Sequence, residues 1–158
     1  MGADLYLDSL HQPQCGRYEP RFERWVQTRD RAGNAADRDK AQRQVERYYA
    51  KMYECGYFRD SYNSSSLLVL FGLSWWLHIG MLLEERNEGR VLSPANAEWL
   101  LDLLRRQEAV FEDKLQRIAL AEGERRTVVE RYFRDKYAYF QEFLQAAVAR
   151  NEPIRCSI

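Results

Sequence analysis

The sequence has little of what most recognisable chemistry requires. Its 158 residues include two histidines, His11 and His78, and three cysteines, Cys15, Cys55 and Cys156, with no C-x-x-C. Two imidazoles and scattered thiols do not make a His- or Cys-rich metal site, so no metal is expected. The Glu-x-x-His pairs of a di-metal carboxylate bundle are missing. So are the phosphate-cradling loops G-x-x-x-x-G-K-[ST] and G-x-G-x-x-G, and no cofactor is expected. Four prolines and eight glycines leave little room for a many-turned β-sandwich. An odd number of widely spaced cysteines reads as reduced thiols, not as a disulfide framework.

An excess of either charge is also missing. Lys and Arg together number 24 and so do Asp and Glu. Affinity for polyanions comes mostly from surplus cations, so nucleic acid is not expected as a partner. Residues 17–60 carry eleven basic against eight acidic residues, and residues 84–125 seven against ten. That is a mild dipole, not a basic stripe with stacking aromatics. The bias of 20 Arg to 4 Lys fits a GC-rich genome better than selection for guanidinium chemistry. Residues 1–10 have neither a basic start nor a long apolar run, so a secretion signal is not expected. Tyr6 stands where a myristoylation signal wants Ser or Thr, and Cys156 lies third from the end, outside a prenylation box. The chain is expected in the cytoplasm. With 46% hydrophobic and 30% charged residues, it reads as a globular protein whose length suits a single helical domain, 1–158.

Apolar spacing then predicts helices. Ala3–Leu10 alternates loosely, as a short N-terminal strand or extended arm would, and 12–20, with two prolines, reads as a loop. Phe22, Trp25 and Val26 mark a helix stopped at Gly33, with Asn34 as the next cap. Ala41, Val45, Tyr48, Tyr49 and Met52 form one face of a helix that Gly56 ends. Residues 57–63 then read as a connection and 84–90 as a charged loop. Ser93-Pro94 is a strong start signal for a helix running to Gly123. The stripe from Val128 to Val148 marks a last long helix, ended by Asn151 and Pro153, and the two long helices pair as an antiparallel hairpin. Glu108 and Glu112 share a helix face among Arg105, Arg106 and Lys114 and read as solvated ion pairs. Tyr57-Phe-Arg-Asp-Ser-Tyr62 recurs as Tyr132-Phe-Arg-Asp-Lys-Tyr137, but the flanks do not match, so coincidence explains it better than duplication.

What stands out is a 23-residue segment, Ser61 to Leu83, without a single Asp, Glu, Lys or Arg. At about 1.5 Å per residue, its apolar part from Leu67 to Leu83 falls short of a hydrocarbon core of about 30 Å. His78 would be costly in lipid and no Lys/Arg cluster flanks the segment, so a membrane partner is not expected. A helix apolar all round is normally the inside of a bundle. The expected fold is therefore mainly α: a helical bundle around a central apolar helix, capped by Asn63 or one of Ser64–Ser66.

Candidate ligand-binding residues cluster at the start of that segment and along it: Arg59, Asp60, Tyr62, Asn63, Trp75, Trp76 and His78. Guanidinium, carboxylate, phenol, amide, indole and imidazole could line a pocket for a polar or anionic small molecule. The same residues could be structural, with Asp60 and Asn63 serving helix ends, the tryptophans filling the core and His78 bonded to a carbonyl. Met1-Gly-Ala-Asp-Leu-Tyr-Leu7, Gly56-Tyr-Phe-Arg-Asp-Ser-Tyr-Asn63, Gly72-Leu-Ser-Trp-Trp76 and Leu92-Ser-Pro94, scattered over most of the chain, resemble a group of small uncharacterised bacterial proteins. That resemblance implies a bacterial cytosolic protein and no particular chemistry.

Aromatic helix faces without a recognisable catalytic set point to a protein-interaction or accessory domain. Its partner would be another protein or a second copy, meeting the Trp99 or Tyr132–Phe143 helices. The competing reading is a small-ligand binder or enzyme centred on residues 59–63 and 75–78.

Overall fold

The computed structural model describes residues 2–63, 65–86 and 89–158. They form two compact units, Met1–Tyr6 with Phe58–Ile158 and Leu7–Tyr57. The larger unit is built on a five-stranded sheet of β1 (Gly2–Tyr6), β2 (Tyr57–Ser61), β3 (Leu83–Arg86), β4 (Gly89–Leu92) and β5 (Ile154–Ser157). Their order is β2-β1-β5-β4-β3, and Leu5 lies opposite Cys156, Leu92 opposite Ile154 and Glu84 opposite Val91 in antiparallel register. Alternation sorts the faces: Ala3, Leu5, Phe58, Asp60, Ile154 and Cys156 are buried, while Asp4, Tyr6, Arg59 and Arg155 point the other way. On that second face the Arg155 guanidinium lies 4.3 Å from the centre of the Tyr6 ring.

This sheet overturns the expected helical bundle. The protein is mostly helical, but its strand content goes well beyond one N-terminal strand or arm. Each strand is only four or five residues long, too short for alternation to stand out, and β1 and β5 pair from opposite ends of the chain. Residues 57–63, expected as a connection, contain β2, and 84–90, expected as a loop, falls within the β3–β4 pair; Asn87 and Glu88 lie outside the described residues.

The central apolar helix is overturned as well. Helix α3 covers only Leu67–Leu70, and Gly72 then takes a left-handed φ of 72°. Ser74 opens a five-residue π-helix, Trp75–Ile79, where the Ile79 N–H reaches back to the Ser74 carbonyl. A 3-10 turn, Gly80–Leu82, leads into β3. The left-handed glycine interrupts the helix, and the segment buries one side only: Leu68, Leu70, Phe71, Trp75 and Ile79 go inward while Trp76, Leu77, His78 and Met81 face out. Among the described residues no helix is long and apolar enough to cross a membrane.

Helices α4 (Pro94–Arg106), α5 (Glu108–Ala121) and α6 (Arg126–Arg150) complete this unit. Ser93 caps α4, accepting from the Asn96 N–H, as the Ser-Pro signal predicts. The single helix expected from Ser93 to Gly123 is two, divided at Gln107. Gly123 turns the chain with φ 57°, and α5 and α6 run antiparallel, Glu112 meeting Arg134 and Glu108 meeting Tyr137. Asn151, left-handed at φ 48°, ends α6. The repeated hexapeptide is strand in its first copy and helix in its second, which fits coincidence.

The second unit is an antiparallel pair, α1 (Asp8–Asp30) and α2 (Ala35–Met52). Gln14 donates to the Lys51 carbonyl at one end and Arg29 to Gln42 at the other. Asn34 caps α2 as expected, accepting from the Asp37 N–H at 2.9 Å. The loop expected at 12–20 is helical instead, with Pro13 and Pro20 inside α1. Each proline costs an isolated helix about 3 kcal/mol, so tertiary packing offsets what local propensity opposes. Buried His11 packs on Tyr53 and Tyr57.

The Leu7 N–H donates to the Gly56 carbonyl at 2.8 Å, tying the two ends of this unit together. Gly56 has φ 64°, and a Cβ there would sit 2.6 Å from the His11 nitrogen and 2.8 Å from the Leu7 oxygen. Gly56→Ala is expected to destabilise by about 2–5 kcal/mol, combining left-handed strain with overpacking. Gly123→Ala, also left-handed but with nothing within 4 Å, should cost only about 1–2 kcal/mol. Urea denaturation of both variants checks this, and equal losses would refute the packing explanation.

Candidate functional site

Four elements converge on one carboxylate. Asp60 sits near the end of β2 on the buried face of the sheet and is 1% exposed. Its Oδ1 accepts from the Leu67 N–H at 2.9 Å and the Lys136 ammonium at 2.6 Å. Its Oδ2 accepts from the Ser66 hydroxyl at 2.7 Å, the Trp75 indole N–H at 2.8 Å and, at 3.4 Å, the Leu68 N–H. Leu67 and Leu68 are the first residues of α3, and Ser66 makes no side-chain cap, so Asp60 caps that helix from across the loop. Ser64, one of the expected caps, lies outside the described residues.

Lys136 projects from α6 between two rings, its nitrogen 5.9 Å from the centre of Phe58 and 5.6 Å from that of Tyr132. Its side chain is 12% exposed. Burial pushes the Asp60 carboxyl up, but the Lys136 ammonium, the Leu67 N–H and the Ser66 hydroxyl outweigh it and hold Asp60 below the ordinary carboxylate value. A carboxylate with this many donors has no lone pair left to relay a proton. Asp60 is an anchor.

The other sequence candidates fall around it without forming one constellation. Trp75 is buried and holds Asp60 through its indole N–H. Arg59, next to Asp60 on the strand, points to the opposite face and pairs with Asp4 at 3.6 Å. The Asn63 side-chain oxygen accepts from the Ser65 N–H, a local turn. Tyr62 packs against Trp76 with ring centres 5.4 Å apart, and burial together with Asp4 pushes its phenol up. His78 is exposed, its Nδ1 accepting from the Ser74 N–H instead of bonding a carbonyl. An open cavity of about 350 Å³ adjoins the anchor, lined by Arg59, Asp60 and Asn63 of the candidate set but by none of Tyr62, Trp75, Trp76 or His78.

Sequence reasoning missed Lys136, Ser66 and Ser61. A usable signal existed for Lys136: a lone lysine, one of four, four residues from Tyr132 and four from Phe140 on an aromatic helix. Glu112 and Glu108 were assigned the wrong partners. Glu112 takes a bidentate pair of bonds from Arg134 at 2.5 and 2.7 Å, and Glu108 accepts from Tyr137. Cys15 lies near an imidazole, 3.3 Å from His11 Nε2, with its Sγ also donating to the Met52 carbonyl. Burial and Glu19 push this thiol up, which opposes thiolate formation. Among the described residues no three His, Cys, Asp or Glu side chains converge to hold a metal ion.

No protein-family model matches the sequence, and no curated protein or solved structure is significantly similar to it. The site's chemistry is therefore read from its own atoms.

Removing one member of a buried ion pair strands the other, so Asp60→Asn is expected to destabilise the larger unit by about 3–5 kcal/mol in chemical denaturation. Because its folded-state pKa lies below the unfolded reference of 3.8, the Asp60 contribution is fully present above that value. It is lost as pH falls through the lower folded value. In Lys136→Met the folded value rises toward the unfolded one, because the ammonium that lowers the carboxyl is gone, so the stability lost on acidification should shrink and the acid limb flatten. Denaturation midpoints between neutral pH and pH about 3 test this. An unchanged acid limb would refute the assigned role of Lys136.

Proposed function

We propose that this chain is a protein-interaction or accessory module that docks through the outward side of the segment from Trp76 to Met81. The observation that carries the reading is the exposure of three large apolar side chains there, Trp76 at 56%, Leu77 at 70% and Met81 at 84%. They project from a π-helix followed by a 3-10 turn. π-Helical turns are rare and frequently occur at functional sites. The segment is held from behind, with Trp75 bonded to Asp60 and Ile79 fully buried. A rigid apolar projection loses little conformational entropy on docking, and tryptophan and methionine are enriched at interfaces.

The partner is another protein or a second copy of this chain. The face expected from sequence, on α4 and α6, contributes less well defined features: Trp99 at 45% and Tyr132 at 54% exposed stand on separate helices. We place the chain in the cytoplasm and with the group of small bacterial proteins that its motifs resemble. Three of those motifs meet at the Asp60 anchor: β1 pairs with β2, and the Trp75 indole reaches the carboxylate from the third.

Trp76→Ser, Leu77→Ser and Met81→Ser combined should leave the circular-dichroism spectrum and melting profile nearly unchanged. The same variant should abolish self-association in sedimentation velocity, or capture of the partner recovered by the wild-type chain. A wild type that stays monomeric at every concentration, and recovers nothing that the triple variant fails to recover, would overturn the reading.

A further inference from the structure

The cavity beside the Asp60–Lys136 pair has a wall of hydrogen-bond donors. Its volume, about 350 Å³, is in the range of small-molecule sites. Asp60 takes one of the three ammonium N–H donors of Lys136, and among the described residues no second acceptor meets the others. The Ser61 hydroxyl oxygen is buried and, among the described residues, has no hydrogen-bond partner. Leaving a polar group in that state is unfavourable unless something else satisfies it. The Asn63 carbonyl oxygen is occupied by the Ser65 N–H, so its NH2 group is the end left to bind. Arg59 stands at the rim, 58% exposed, with Asp4 at a loose 3.6 Å. Among the described residues Asp60 is the one acidic residue in the lining, and both its oxygens are already engaged by donors on the protein side. Tyr132 supplies a flat wall.

Such a site selects an acceptor-rich ligand. A cation would face Arg59 and Lys136, and an apolar molecule would leave Ser61 and the ammonium unsatisfied. We propose that this cavity binds a small molecule through an oxyanion, a phosphate monoester or a carboxylate, with Lys136 and Ser61 at its base, Asn63 at its side and Arg59 closing over it. The planar fork of Arg59 suits either oxyanion. The site is separate from the apolar projection at Trp76–Met81 and does not depend on it.

The test is an NMR titration of amide shifts in the full chain, with inorganic phosphate and, in a second arm, succinate, chloride holding the ionic strength constant. Saturable shifts confined to Ser61, Asn63, Ser65 and their neighbours are expected, and the anion that saturates at the lower concentration identifies the oxyanion. Lys136 also anchors the fold, so the variants are Ser61→Ala and Arg59→Gln, each expected to weaken binding about five- to tenfold with the melting profile retained. Shifts that rise linearly without saturating, shifts scattered over the basic surface, or an affinity unchanged in Ser61→Ala would each overturn the proposal.

Discussion

Burying one negative charge organises the larger unit. A carboxylate removed from water is tolerated only where a counter-charge and donors replace the solvent, and Asp60, on β2, has five donors from three other segments. The carboxylate therefore holds the end of β2, the start of α3, the π-helical turn and the middle of α6 in fixed relation. None of those connections is local in sequence except the cap on α3. Lys136 reaches Asp60 across 76 residues, and its aliphatic stem and ammonium sit among Phe58 and Tyr132 where water would otherwise compete.

From that anchor follow the two surfaces on which the proposed functions rest. Trp75 points inward to reach Asp60, and the wide π turn then directs Trp76 and Leu77 outward, so an apolar projection is fixed by a polar bond beneath it. Lys136 also lines the cavity, together with Ser61 and Asn63. One buried ion pair thus supports a hydrophobic surface and a donor-lined one, with opposite chemistry. The lysine both neutralises the buried carboxylate and leaves a positive edge.

Punctuation by caps and breakers was legible along the chain. Asn34, Ser93-Pro94, Gly123 and Asn151 mark helix ends where their chemistry implies, because capping and left-handed backbone are decided by one residue and its immediate neighbours. The prolines of α1 misled, since pairing with α2 outweighs the bonds they remove. The strands were not legible: Leu83-Glu-Glu-Arg86 has no alternation to recognise, and Ile154–Ser157 becomes a strand only by lying beside residues from the other end of the chain. Of the candidate site, Asp60 and Trp75 were found as residue types in a suspicious place, but their bond to each other was not, nor was Lys136.

By itself the sequence determined the helix ends at Asn34, Ser93, Gly123 and Asn151 and that residues 61–83 carry no charge, because both are properties of neighbours along the chain. Zero net charge and few histidines and cysteines likewise narrowed the chemistry without any knowledge of the fold. Tertiary structure decided how the uncharged segment is arranged. A central helix and a one-sided turn have the same composition, and only the position of Asp60, reached through strand pairing and Lys136, determines which side is buried. The ion pair forms between residues that are neighbours only once the sheet and α6 have packed, so no local pattern encodes it.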